Sequence, residues 1–193
     1  MNDVSLWAVF LNSTIINNFV LSLFLGICPF LGISGKLDTS IRMSGAVIFV
    51  MLVSSSAAFG IHTLLVALDA RYLELIAFIA VIASTVQLVE MIIKKTSPAL
   101  FRSLGIYLPL ITTNCAILGV ALFQTLRAYS FLQSVVFALG AGLGFTIAMA
   151  LMAGLREELE LADVPNLVKG AGLTLMLAGV LSLGFMGFGG LGG

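Results

Sequence analysis

Two thiols are the side chains of this sequence best suited to chemistry, and they share one local pattern. Cys28 opens "CPFLGI" and Cys115, 87 positions later, opens "CAILGV", so each reads C-x-x-L-G followed by a β-branched aliphatic residue. No other cysteine is present among the 193 residues. Soft thiolates hold zinc or an iron-sulfur cluster. Apolar burial raises a thiol's pKa whereas a bound metal keeps it a thiolate, which gives a reason to place thiols in greasy surroundings. Two other readings stand beside ligation. A free cysteine behaves as a small buried hydrophobe, and the pair is open to disulfide formation, for which apolar burial offers no obvious oxidant. A metal normally takes four donors, and the one histidine, His62, has no matching residue in the other half of the chain. A tetrathiolate site therefore needs two cysteines from a second, homologous chain.

The elements that must position these thiols are membrane helices. Of all residues 60% are hydrophobic and 9% charged, and the mean hydropathy is +1.18, against roughly 45–50% apolar and about 25% charged in soluble chains. The charges cluster between long uncharged stretches, and a crossing helix needs only about 20 apolar residues. Six spans qualify: between Asp3 and Lys36, Arg42 and Asp69, Glu74 and Lys94, Arg102 and Arg127, Arg127 and Arg156, and from Lys169 onward. Only the third carries an internal charge, Glu90. A membrane barrel would instead alternate apolar and polar residues in segments of about 10. The expectation is an all-α integral membrane protein with six transmembrane helices in a single membrane domain, residues 1–193.

The first span lacks the basic start and small-residue cleavage site of a signal peptide and contains Asn17 and Asn18, so it is read as part of the mature chain. A formal net charge of zero and the absence of a basic run argue against a nucleic-acid partner. The longest charged connection, "REELELADVPNLVKG", leaves no room for a soluble domain.

Six crossings put both termini on one side. That side holds Arg71 and Arg127, while Lys36, Arg42, Lys94, Lys95, Arg102, Arg156 and Lys169 fall on the other. The positive-inside rule makes the richer side cytoplasmic and both termini external. Each half begins with its cysteine-bearing span and adds two more. Three is odd, so the halves, near 1–97 and 98–193, insert as inverted repeats about a pseudo-two-fold axis in the membrane plane.

In such folds the working site lies near the midplane on spans interrupted by Gly or Pro. Gly26, Pro29 and Gly32 surround Cys28, and Pro109 and Gly119 flank Cys115. Cys115 stands 13 residues after Arg102 and 12 before Arg127, roughly 18–20 Å from each on a helix. Cys28 precedes Lys36 by only eight residues, roughly 12 Å. Equal depth for both thiols requires that the first span be broken or half-spanning, and the prolines predict interruption of both cysteine spans.

The strings "NNFVLSLFLGICPFLGIS", "KKTSPALFRSLGIYLPLITTNCAILGVAL", "REELELADVPNLVKG" and "LSLGFMGFGG" resemble, over essentially the whole chain, the membrane-subunit family that comprises the A-type member of the bacterial Rnf electron-transport complex and the E-type member of the sodium-pumping NADH:quinone reductase, Nqr. "CPF" and "TTNCA" favour the Rnf branch. The resemblance implies a subunit, not catalytic alone, of a ferredoxin:NAD+ oxidoreductase in the bacterial inner membrane that translocates Na+ or H+. It further implies a homologous six-helix sister of the E type, partners of the B, C, D and G types, and a 2Fe-2S cluster held by two cysteines from each sister. By that analogy Cys28 and Cys115 are the ligands, and Thr112, Thr113 and Asn114 are candidates for contacts that tune the cluster.

Other polar residues carry weaker signals. Glu90, with Gln87 one turn earlier, is an ion-pathway candidate, although Lys94 four residues on invites an ordinary ion pair. Asn17 and Asn18, further ion-pathway candidates, either bond across helices or line a cavity. His62 reads as a structural residue near the outer surface. Ser54, Ser55 and Ser56, like Gly140, Gly142 and Gly144, permit close helix approach. The loop "REELELADVPNLVKG" reads as solvated or as a contact for a peripheral subunit, and "GFGGLGG" as a flexible end. Two rival functions remain: an inverted-repeat ion or solute transporter with incidental cysteines, and a structural membrane scaffold. The orientation has its own test. A periplasmic reporter fused after Gly193 will be active and a cytoplasmic one silent; the reverse pattern contradicts the assigned topology.

Overall fold

A computed structural model describes residues 5–96, 108–162 and 170–189. Residues 97–107, with Arg102 and the expected boundary between halves, lie outside the described residues, as do 163–169 with Lys169 and the last four residues of the glycine-rich tail. The described residues form helices and turns, with no strand among them. In chain order they are α1 (Leu6–Leu11), continued by a π-helical turn (Asn12–Ile16), α2 (Ile27–Ile33), α3 (Leu37–Ala67), a 3-10 turn (Arg71–Leu73), α4 (Glu74–Thr96), α5 (Leu108–Thr112), α6 (Cys115–Leu126), α7 (Phe131–Leu161) and α8 (Ala171–Gly189).

Three stretches are long and apolar enough to cross a bilayer, Leu37–Ala67, Arg71–Ile92 and Phe131–Leu159, and three apolar segments are shorter, Leu6–Ile16, Leu110–Leu126 and Ala171–Gly187. Each of the six apolar spans read from the sequence overlaps one of these. Two of the short segments belong to the cysteine-bearing spans, and both of those spans are interrupted. The first loses its helix over residues 17–26, and the fourth breaks at Thr113 and Asn114.

The prolines act as their stereochemistry requires. Pro29 is the third residue of α2, in the first turn, where its missing N–H has no helical partner to lose. Asn114 caps α6 by accepting from the Ala116 N–H at 2.9 Å. Ser130 and Gln133 form a reciprocal capping box at the start of α7.

α7 is the central element. Over half of its apolar window, 56%, is buried, against 22% for the window that includes α4. Phe145, Met149 and Met152 of α7 share one core with Met43, Val47 and Met51 of α3, Phe78 of α4 and Ile117 and Val120 of α6. The outside is as apolar as the inside. Trp7, Phe49, Ile76, Ile92 and Leu183 are all more than half exposed, a surface suited to lipid or protein rather than water.

Small residues let the broken first span approach α7, as the sequence suggests. A Cβ at Gly144 would fall 2.7 Å from the Thr14 carbonyl, one at Gly140 would strike Ser13 Oγ, and one at Gly142 would lie 2.8 Å from Ile48 Cγ1 of α3. Gly154, further along the same helix, faces open space. Gly144→Ala will destabilise the folded chain by about 1–3 kcal/mol through overpacking, whereas Gly154→Ala will not. Thermal unfolding in detergent measures both, and equal midpoints would show that the contact at Gly144 is unimportant.

Candidate functional site

Residues 17–26 are unwound in apolar surroundings, so their backbone polar groups must find partners inside the protein. Asn18, fully buried, meets part of the need and ties the stretch to its neighbours. Its Nδ2 donates to the Gly144 carbonyl at 2.7 Å and to the Thr14 carbonyl at 3.3 Å. Its Oδ1 accepts from the Val20 and Leu21 N–H groups at 3.0 and 3.3 Å. Ser182 of α8 donates to the Leu21 carbonyl at 2.7 Å, and the Leu25 N–H bonds the Phe19 carbonyl at 2.9 Å.

The last N–H of the unwound stretch, from Gly26, points at sulfur. It donates to Cys115 Sγ at 3.4 Å. Gly26 is left-handed, with φ of +81°, and is the residue immediately before α2. A Cβ there would come within 3.1 Å of Asn114 Oδ1 and Phe145 Cε2. Only glycine combines that conformation with that proximity. Cys28 is the second residue of α2 and Cys115 the first of α6. The starts of the two cysteine-bearing helices therefore meet, across 89 residues of sequence.

Both helices are anchored at their other contacts. Phe19 and Leu25 from the unwound stretch pack on Gly119 of α6, where a Cβ would lie 2.8 Å from Leu25 Cδ1. The far end of α2 is gripped by Arg156 of α7, whose Nη1 donates to the Leu31 carbonyl at 3.2 Å and to Ser34 Oγ at 3.0 Å. A cation at a helix C-terminus complements the helix dipole. Glu157 next to it accepts the Leu37 N–H at 2.8 Å, at the start of α3.

Cys28 is exposed and Cys115 half-buried, and both are free thiols. Beside Cys115 lies a cavity of about 350 Å³ walled by Ile79, Ile82 and Ala83 of α4 and by Thr112, Thr113, Asn114 and Leu118. None of these walls carries a charge. Asn114 is 3% exposed, and with its oxygen committed to the Ala116 N–H its Nδ2 has no partner. A buried amide donor without an acceptor is costly, and this one belongs to the residue next to a thiol. Among the described residues no group of three His, Cys, Asp or Glu side chains converges. The arrangement sets the two thiols at neighbouring helix starts, Cys115 accepting a backbone N–H and Cys28 exposed.

The other residues singled out in the sequence take different places. Thr112 and Thr113 line the cavity with Cys115. Asn18 uses all its hydrogen-bonding capacity on backbone, and Asn17 donates to Asn12 Oδ1 at 2.6 Å. Gln87 is exposed and Glu90 half-buried on α4, and neither lines the cavity at Cys115. His62 joins α3 to α4 through Glu74, with Nδ1 3.0 Å from Oε1. In the sequence Arg156 reads only as a topological charge; its tethering of α2 depends on a contact 125 residues away. Gln124 is a second residue that sequence reasoning misses, yet it is 2% exposed. An amide in an uncharged span, one of two there with Asn114, is the signal available for it.

The family described as Rnf-Nqr subunit, membrane protein, matches residues 6–192. The chain is 52% identical over 188 residues to the A-type member of the ion-translocating oxidoreductase complex of Syntrophotalea carbinolica, covering 97% of each chain. It is 53% identical over 182 residues to the protein of the same name from Pasteurella multocida, covering 94% of this chain and 95% of the relative. Over 184 residues it is 49% identical to the A-type member of the Na(+)-translocating ferredoxin:NAD(+) oxidoreductase complex of Acetobacterium woodii, covering 95% and 96%.

The junction at Gly26 makes a direct prediction. Gly26→Ala will lower stability by about 1–2 kcal/mol from the left-handed strain, with a further loss from the contact with Asn114, while Gly45→Ala on the open face of α3 will not. Midpoints of thermal unfolding compare the two, and a parent-like midpoint for Gly26→Ala would contradict the tight junction.

Proposed function

The chain belongs to the Rnf-Nqr family of membrane subunits, and from that premise we propose that it is the A-type member of an ion-translocating ferredoxin:NAD+ oxidoreductase complex in the bacterial cytoplasmic membrane. In this reading all six apolar segments cross, as inverted repeats near 1–97 and 98–193, with both termini outside. Three features support the repeat. α3 and α7 are each 31 residues long. Each follows a helix that carries a cysteine in its first turn, just after a break. His62 and Arg156 stand at the same place in their helices, 25 residues after Leu37 and Phe131 respectively.

Cys28 and Cys115 supply two of four ligands to a 2Fe-2S cluster, and a homologous six-helix sister of the E type supplies the others. The observation that carries this reading is the junction at Gly26, which brings the starts of both cysteine helices together and aims an N–H at Cys115 Sγ. When bound, the cluster supplies a one-electron store that divides a bilayer core of about 30 Å into shorter hops. The chain's own residues position and tune. The Gly26 N–H and the unpartnered Asn114 Nδ2 offer hydrogen bonds to sulfur, which favour the more negative, reduced state and so raise the potential. Arg156 steadies α2, and with it Cys28, from the opposite end. Other subunits, of the B, C, D and G types, bring electrons to and from this centre, and the transported ion is Na+ or H+. The Acetobacterium woodii relative, named for a Na(+)-translocating complex, favours Na+.

In the purified complex, Cys28→Ser and Cys115→Ser will each remove the iron and acid-labile sulfide of one two-iron centre and abolish ferredoxin-dependent NAD+ reduction. Retention of that iron and of electron transfer in both variants would falsify the redox role and favour a solute carrier with incidental cysteines.

A further inference from the structure

The broken first span leaves part of its backbone uncovered. Residues 18–21 and Gly26 are buried, whereas Leu23 is 45% exposed and Phe24 47%. The Ser22 N–H reaches the Asn18 carbonyl and the Leu25 N–H the Phe19 carbonyl, but among the described residues nothing accepts the two N–H groups between them, those of Leu23 and Phe24. Phe24 also holds a left-handed backbone, with φ of +54°. A bulky residue rarely adopts that conformation, and such strain is kept where a site has a use for it.

Lipid does not suit this stretch. No charge lies between Asp3 and Lys36, and α1 with its π-helical turn, 6 and 5 residues, rises roughly 16 Å. That is about half of a 30 Å hydrocarbon core, so the break falls within the apolar layer. Irregular backbone at such depth is tolerated only against protein or a water-filled cavity, because lipid tails accept no hydrogen bond. The two uncovered side chains are large and apolar, which suits protein rather than water.

The neighbouring thiol specifies which protein. Phe24 is four residues before Cys28, so their Cα atoms are no more than about 14 Å apart. Cys28 is itself exposed. A chain that brings two further thiols to Cys28 lands beside the uncovered pair.

We propose that Leu23 and Phe24 are a docking surface for the homologous six-helix sister, whose apolar side chains pack on theirs and whose oxygen acceptors take their two N–H groups. The surface rests on the reading of Cys28 as a ligand shared with that sister. The left-handed turn at Phe24 is the device that holds the ring out for the contact, and the unmet N–H groups are met only when the two chains assemble.

The test places a photoreactive benzophenone amino acid at position 24 of the intact complex in lipid nanodiscs, illuminates it and identifies the product by mass spectrometry. Cross-linking to the E-type sister is the expected result. Attachment to lipid, to another subunit or to this chain alone overturns the proposal. Phe24→Gly supplies a second measurement: glycine accepts the left-handed backbone, so the fold is kept while the ring is lost. The sister will then dissociate about tenfold faster on dilution in detergent, and a parent-like rate contradicts the docking surface. Iron content separates this surface from the redox reading. A cross-link to lipid alongside iron loss in Cys28→Ser and Cys115→Ser sinks the surface alone, whereas a cross-link to the sister with iron retained in both cysteine variants sinks the redox reading and leaves the surface standing.

Discussion

An unwound stretch of backbone inside an apolar protein is tolerated only when every N–H and C=O finds a partner, and residues 17–26 show what that demand builds. Asn18 bonds four backbone groups at once, Ser182 reaches in from α8, and the stretch folds back on itself between Leu25 and Phe19. The Gly26 N–H, the last of the stretch, is taken by a sulfur. Removing a helical turn in mid-chain thus creates a donor, and the fold directs it to Cys115. The same break lets α2 begin where α6 begins, which a continuous first helix would not permit.

Rigidity follows from the same contacts. Glycines 140 and 144 bring the π-helical turn against α7, the most buried of the three long apolar helices, so the break is packed rather than loose. Arg156 closes the other end of α2 with a permanent charge. The exposed Cys28, the unpartnered Asn114 amide and the uncharged cavity beside Cys115 fit a half-site whose other half lies across an interface.

Much of this is legible in the sequence because it is written in local signals. Hydropathy marks the six apolar stretches, the paired C-x-x-L-G strings mark the thiols, and Gly26 and Pro29 mark the first interruption, whereas Pro109 lies inside α5 ahead of the second. The small residues of α7 announce close packing. What the sequence conceals depends on distant partners. Nothing local to Asn18 shows that its four hydrogen bonds hold backbone together, and nothing local to Arg156 shows that it grips Leu31. Gln124 and Ser55 come together across 69 residues, so neither stands out alone. The length of the first break, ten residues against two in the fourth span, also has no sequence signature, since each span carries similar Gly and Pro content.

The most direct measurement of shared iron ligation is alkylation of Cys28 and Cys115 in the intact complex, read by mass spectrometry before and after removal of iron. Ligation of one cluster by both thiols predicts that neither is modified while iron is bound and that both become reactive together when it is removed. Modification of either thiol in the iron-loaded complex, with the iron retained, would contradict it.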